Sequence, residues 1–123
     1  EIKHELIREA MLKTGLKCGV EISTLADIPS EGSGLGSSSS LIVGLLNAMY
    51  MFKGDQVPSE RLAEEACEIE IERCGKPIGK QDQFIAAYGG LRTLTFNPEC
   101  SVSTERVKMS DKSLWQFSTH MMF

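Results

Sequence analysis

Three features are scarce in this 123-residue chain: paired cysteines, concentrated basic charge and long apolar runs. Each shortage removes a class of function. The four cysteines, Cys18, Cys67, Cys74 and Cys100, are irregularly spaced and form no C-x-x-C pair, which argues against a zinc site and against a disulfide framework. Buried, reduced thiols are the expectation. The 13 basic residues are scattered and the formal net charge is -4, so the chain has no electrostatic footprint for nucleic acid. No apolar run approaches the ~20 residues a membrane-crossing helix needs, and the charged start from Glu1 to Arg8 does not resemble a signal peptide. No membrane partner and a cytoplasmic location are expected. What remains, 41% hydrophobic and 24% charged residues, is ordinary for one globular domain.

Leu6, Ile7, Ala10 and Met11 recur at helical spacing, and Gly15 stands where a helix needs a left-handed terminating residue. From Gly19 to Thr24, Val20 and Ile22 alternate with polar residues, the period-two signature of a half-buried strand. That strand would feed the segment from Ala26 to Gly36. Leu41, Ile42, Leu45, Leu46, Met49 and Phe52 then mark a strongly apolar helix that lasts until Gly54. Pro58-Ser59 announces another, with Ser59 as N-cap and an end near Cys74. A short apolar turn from Phe84 to Tyr88 precedes two strands, Leu91 to Phe96 and Ser101 to Val107, around an Asn97-Pro98 turn. Helices lie among strands without regular βαβ alternation, which favours an α+β domain. Both ends have the character of cut edges, and Met121-Met122-Phe123 suits the middle of a buried strand.

Gly32-Ser33-Gly34-Leu35-Gly36-Ser37-Ser38-Ser39-Ser40 carries the most chemistry. Glycines permit positive-φ turns, so successive N–H groups can converge on an anion, and the helix that follows adds its positive dipole end. Such a loop is a phosphate cradle. A Walker A loop would require a Gly-Lys pair, whereas serines follow Gly36; a dinucleotide fingerprint would require two residues before its last glycine, and Gly34-Leu35-Gly36 supplies one. A flexible linker is the bland alternative, but linkers are not normally followed at once by an apolar helix.

On the helix from Ser59, a rotation of ~100° per residue gathers Leu62, Ala63, Ala66, Cys67, Ile69 and Cys74 on one face. Glu64, Glu65, Glu68 and Glu72 take the other. Glu70 falls inside the apolar arc, where an ionised carboxylate needs a cation or a metal beside it. It is either a ligand, a structural ion pair, or a helix end turned to solvent. Asp82, in Gly79-Lys80-Gln81-Asp82-Gln83, stands before a short helix, and on its own would be a helix cap.

Taken together these stretches resemble the GHMP kinase superfamily, which includes galactokinase, homoserine kinase, mevalonate kinase and phosphomevalonate kinase. Its nucleotide loop is similar to Pro29 followed, after four residues rather than three, by Gly34-Leu35-Gly36-Ser37-Ser38. Gly75 to Gly90 resembles its second block, and the G-K-Q-D-Q wording is nearest to the D-glycero-D-manno-heptose 7-phosphate kinase branch. The resemblance implies ATP on Gly32, Ser33, Gly34, Leu35, Gly36, Ser37, Ser38 and Ser39, and Mg²⁺ on Ser38 and Glu70. It implies that Asp82 is the catalytic residue, accepting or orienting the proton of a sugar or sugar-phosphate hydroxyl. Lys80 and Arg73 are candidates to meet a substrate phosphate, with surface charge as the alternative. The implied fold is α+β, ribosomal protein S5 domain 2-like, truncated at both ends. Residues 1–123 would be part of the N-terminal ATP-binding domain, without the C-terminal ferredoxin-like domain. A homodimer is compatible with it. Galactokinase- or fucokinase-like chemistry on an unphosphorylated sugar, and a non-catalytic phosphate-binding module, are the competing expectations.

Overall fold

Amphipathic helices bury their apolar stripes against one another, and the first part of this chain consists of four that do so. The computed structural model describes residues 2–25 and 34–121, which fall into two units, residues 1–89 and residues 90–123. Pro29, Gly32, Ser33, Met122 and Phe123 lie outside the described residues. Helix α1 (Glu5–Thr14) ends at Gly15, whose φ of 71° places it in the left-handed region. The N–H of Gly15 bonds to Leu12 O at 3.3 Å and that of Leu16 to Met11 O at 3.0 Å. This is the Schellman pattern, and it satisfies two carbonyls that the helix end would otherwise expose.

Helix α2 (Ser37–Phe52) packs against α1 and against two of the helices that follow, residues 59–67 and 81–88. Ile42, Val43, Leu45, Leu46, Met49 and Tyr50 are buried along it, whereas Phe52 is exposed. Helix α3 (Ser59–Cys67) begins one residue earlier than its capping signal suggests: Pro58, with an extended backbone, is the N-cap, and Ser59 is the first helical residue. Proline suits this boundary because its fixed φ and missing N–H cost the helix nothing there. Without a break α3 becomes a π-helical segment (Glu68–Arg73), in which the Cys74 N–H reaches back five residues to Ile69 O at 2.9 Å. Helix α4 (Gln81–Tyr88) closes the unit.

The apolar arc is as the spacing requires for Leu62, Ala63, Ala66, Cys67 and Ile69, all buried. Glu65 departs from expectation. It lies on the supposed solvent face yet is buried, because Tyr50 Oη donates to it at 2.7 Å and Arg61 Nε at 2.9 Å, with the guanidinium 5.0 Å above the Tyr50 ring. Residues 19–24 also depart. They form no strand: period-two spacing marks a half-buried surface, but a strand needs a ladder partner, and none pairs with it among the described residues.

In the second unit β1 (Arg92–Phe96) and β2 (Val102–Arg106) pair antiparallel, from Arg92 opposite Arg106 to Phe96 opposite Val102. The Asn97 N–H bonds to Ser101 O and the Cys100 N–H to Asn97 O, each at 3.0 Å. Helix α5 (Asp111–Thr119), which the sequence analysis did not anticipate, starts at Ser110, whose side chain accepts the Ser113 N–H. Met121 belongs to no strand and is exposed. Helices with a small antiparallel sheet make an α+β chain. None of the four cysteines is in a disulfide among the described residues, and only Cys67 is buried; Cys18 and Cys100 are exposed, at variance with their expected burial. Burial pushes the Cys67 thiol up to about 11.

Glu68 ties the π-helical segment to α1. Lys13 donates to one carboxylate oxygen, and Arg73 donates to the other through Nη2 at 2.7 Å and Nε at 3.0 Å. The Lys13 bond, opposed by desolvation and reinforced by Arg73, holds the carboxyl below its ordinary 4.5. A depressed carboxyl pKa stabilises the fold fully above its unfolded value and loses that contribution as pH falls through the folded value. Glu68→Gln is therefore expected to lower the unfolding free energy measured in urea at neutral pH, by about 1 kcal/mol or less for a partly exposed pair. The gap to wild type should close below pH 4.5; a gap constant into strong acid would contradict the assignment.

Candidate functional site

Gly34 and Gly36 both have φ 67°, a conformation that side chains with a Cβ rarely adopt. Gly36 is the N-cap of α2 and provides no side-chain cap. The Ser40 N–H bonds to Gly36 O at 2.9 Å, so Ser37, Ser38, Ser39 and Ser40 are the first turn of the helix. A helix begins with N–H groups that have no intrahelical acceptor, and its dipole places partial positive charge there. No acidic residue occupies this first turn.

A second constraint acts on Gly36. A Cβ there would lie 3.2 Å from both Cγ and Oδ2 of Asp82. The missing side chain is what allows the Asp82 carboxylate to rest against the loop. Asp82 is on the first turn of α4 and exposed, and Lys80 occupies the N-cap position without a side-chain cap bond. Asp82 is therefore not the helix cap that its position in the sequence allowed.

Glu70 points inward and is 0% exposed. The π-helical segment that carries it widens the helix locally, a feature often found at functional sites. Its Oε1 accepts from Ser38 Oγ and, at 3.1 Å, from Lys76 Nζ; its Oε2 accepts from Ser39 Oγ at 2.7 Å and Gln83 Nε2 at 2.6 Å. Lys76 Nζ also donates to Ser38 Oγ at 2.8 Å. Burial works to raise the Glu70 pKa, but hydrogen bonds from Ser38, Ser39, Lys76 and Gln83 outweigh it and hold the carboxyl below its ordinary value. The group is an anion at neutral pH.

Among the described residues no group of three or more His, Cys, Asp or Glu side chains could hold a metal. Mg²⁺ does not require such a group, since it commonly takes one or two protein oxygens and completes its shell with phosphate and water. The residues present fit such an ion. A hydroxyl and a carboxylate oxygen converge, and an ammonium already lies against both. Gln83 Oε1 is buried without a hydrogen-bond partner, one further hard acceptor beside the carboxylate.

Of the residues singled out from sequence, Gly34, Leu35, Gly36, Ser37, Ser38, Ser39, Glu70 and Asp82 lie along one loop, one helix start and the two elements facing it. Gly32 and Ser33 fall outside the described residues. Arg73 is committed elsewhere, bonded to Glu68 and 3.6 Å from Glu9. Lys80 supplies backbone at the start of α4. Lys76 and Gln83 were the omissions. Both sit in the motif block, but only the inward carboxylate across from them gives their side chains meaning.

Residues 3–90 match the family described as GHMP kinases N terminal domain. The chain belongs to the GHMP kinase family. It is 38% identical over 89 residues to a D-glycero-alpha-D-manno-heptose 7-phosphate kinase of Campylobacter jejuni, 71% of this chain and 26% of that protein. To a galactokinase of Thermotoga maritima it is 39% identical over 70 residues, 57% of this chain and 20% of that protein. A crystal structure of a D-glycero-D-manno-heptose 1-phosphate kinase from Bacteriodes thetaiotaomicron superposes with a TM-score of 0.81 at 32% identity, covering 89% of this chain and 38% of that one. This GHMP chain thus spans well under half the length of these relatives. Among the described residues no helix is long and apolar enough to cross a membrane.

The two glycines separate strain from contact. A Cβ at Gly34 meets nothing within 4 Å, whereas one at Gly36 meets Asp82. Gly34→Ala should cost about 1–2 kcal/mol from the left-handed backbone alone. Gly36→Ala should cost more, and adding Asp82→Ala should recover part of the excess in a double-mutant cycle on urea unfolding. Equal costs with no coupling would show that the Gly36–Asp82 approach does not constrain the fold.

Proposed function

We propose that this chain carries the nucleotide and catalytic loops of an ATP-dependent kinase that phosphorylates a sugar hydroxyl, the anomeric C1 hydroxyl of a heptose 7-phosphate. The observation that carries this reading is the meeting of Gly36 with Asp82, one residue from Gln83, which holds Glu70 beside Ser38. An anion cradle, a cation-binding oxygen pair and a separate exposed carboxylate are what phosphoryl transfer requires, since its catalysis is mostly positioning and charge neutralisation.

In this account the loop from Gly32 to Ser39 holds the triphosphate with backbone N–H groups at the start of α2. Ser38 and Glu70 would hold Mg²⁺, which when bound would supply positive charge to the nucleotide phosphates. Asp82 orients the sugar hydroxyl and takes its proton as the new O–P bond forms. The bond from the γ-phosphorus to the bridging oxygen breaks, and ADP departs with that electron pair. The heptose is supported by the likeness to the Campylobacter jejuni protein and to the heptose kinase structure. An unphosphorylated sugar is the second reading, supported by the likeness to the Thermotoga maritima galactokinase. A non-catalytic phosphate-binding module would have no use for both a saturated inward Glu70 and an exposed Asp82. The proposed setting is the cytoplasm. The 123 residues alone are expected to give no turnover, because orienting a sugar hydroxyl draws on more of the family's chain than they span.

The test is a substrate panel of heptose 7-phosphate, galactose and fucose with Mg²⁺·ATP, run on the full-length protein and its Asp82→Asn variant. Asn preserves shape but cannot accept the proton, so kcat should fall on the order of 10²–10⁴ with ATP affinity nearly unchanged. Ser38→Ala and Glu70→Gln should instead raise the Mg²⁺ concentration needed for turnover. Wild-type kcat in Asp82→Asn would remove Asp82 from the chemistry, and preference for galactose would select the second reading.

A further inference from the structure

Lys76 stands just past the π-helical segment, where Gly75 has φ 65° and the Lys76 N–H donates to Glu70 O at 3.0 Å. Its side chain folds back so that Nζ lies 2.8 Å from Ser38 Oγ and 3.1 Å from Glu70 Oε1. Those are the two oxygens assigned above to the divalent cation. The Lys76 side chain is 25% exposed while that of Glu70 is 0% exposed, so the ammonium enters from the solvent side on a flexible four-carbon stem. Ser39 and Gln83 secure the opposite oxygen, Oε2. Oε1 is thus the side of the carboxylate where a cation can be exchanged without releasing Glu70.

A buried carboxylate needs a compensating charge, and the ammonium provides one in the protein without metal. A divalent cation on the same two oxygens would put two cations against one carboxylate, a repulsion that is strong where water is scarce. We propose that Lys76 is a resident cation: it keeps Ser38 and Glu70 together while the metal nucleotide is away, and it leaves their oxygens when the divalent ion arrives. Lys76 is in this sense a positioning residue. It sets how tightly the empty site takes a metal, and it prevents Glu70 from standing buried and unpaired between turnovers.

The inference rests on the Ser38–Glu70 metal reading, so the experiment separates the two. Mn²⁺ binding without nucleotide would be measured by electron paramagnetic resonance on the full-length protein, on Glu70→Gln, and on Lys76→Met and Lys76→Gln, alongside thermal unfolding in EDTA and in Mn²⁺. Removing the competing ammonium should tighten Mn²⁺ on the order of tenfold. In EDTA the Lys76 variants should melt below wild type, and Mn²⁺ should raise their Tm more than it raises that of wild type. Should Lys76→Met fail to fold in EDTA, a wild-type ¹⁵N-lysine spectrum decides. The hydrogen-bonded Lys76 ammonium should be visible in the metal-free protein and lose its protection on adding Mg²⁺ with an ATP analogue. Mn²⁺ affinity unchanged or weaker in both Lys76 variants, or a Lys76 signal indifferent to metal, would overturn the lysine proposal alone. Equal absence of Mn²⁺ binding in wild type and Glu70→Gln would overturn the metal reading and the lysine proposal with it.

Discussion

A carboxylate with no access to water constrains everything around it. Glu70 is 0% exposed, and an ionised group in that position is tolerable only when its lone pairs are satisfied. Four donors satisfy it, and they come from separate places: Ser38 and Ser39 from the start of α2, Lys76 from the turn after the π-helical segment, and Gln83 from α4. The saturation of one side chain therefore fixes three elements relative to one another. Because Gln83 follows Asp82, anchoring the first to Glu70 also sets where the second can go, which is against Gly36.

The apolar core gives this polar cluster a rigid frame. Ile42 and Leu46 on α2 and Ile69 beside Glu70 are all 0% exposed, so the helix that presents the serines and the segment that presents the carboxylate are packed side by side. A second buried carboxylate, Glu65, follows the same rule a turn earlier, with Tyr50 and Arg61 as its partners. The two differ in composition. Glu65 is bonded to a tyrosine hydroxyl and a guanidinium, a set suited to a permanent structural link, whereas Glu70 is bonded mainly to small hydroxyls, an amide and a mobile ammonium. The second set can be rearranged around an incoming ligand at lower cost.

Much of this was legible in residues. Gly15 as helix terminator, the apolar face of α2, the hairpin around Asn97 and the inward aspect of Glu70 all follow from spacing and from the conformations that glycine permits. Other features depended on partners distant in sequence. Residues 19–24 have strand-like alternation but no paired neighbour among the described residues, and alternation alone cannot form a ladder. Glu65 has the position of a surface residue until Tyr50, on another helix, is brought to it. The roles of Lys76 and Gln83 depend on a π-helical turn and on a cross-element contact, neither of which has a local sequence signature. Helix α5 has no buried residue, and Leu114, Trp115 and Phe117 along it are exposed.

The GHMP family assignment and the geometry meet at one claim: that Ser38 and Glu70 form the protein side of a metal–phosphate site facing Asp82. Crystals of the full-length protein grown with Mn²⁺ and a non-hydrolysable ATP analogue, measured at the manganese edge, address it directly. The account predicts one anomalous peak in the first coordination shell of both Ser38 Oγ and a Glu70 carboxylate oxygen, with the γ-phosphate between that ion and Asp82. An ordered nucleotide whose metal lies elsewhere, with the Ser38–Glu70–Lys76 contacts intact, would contradict it.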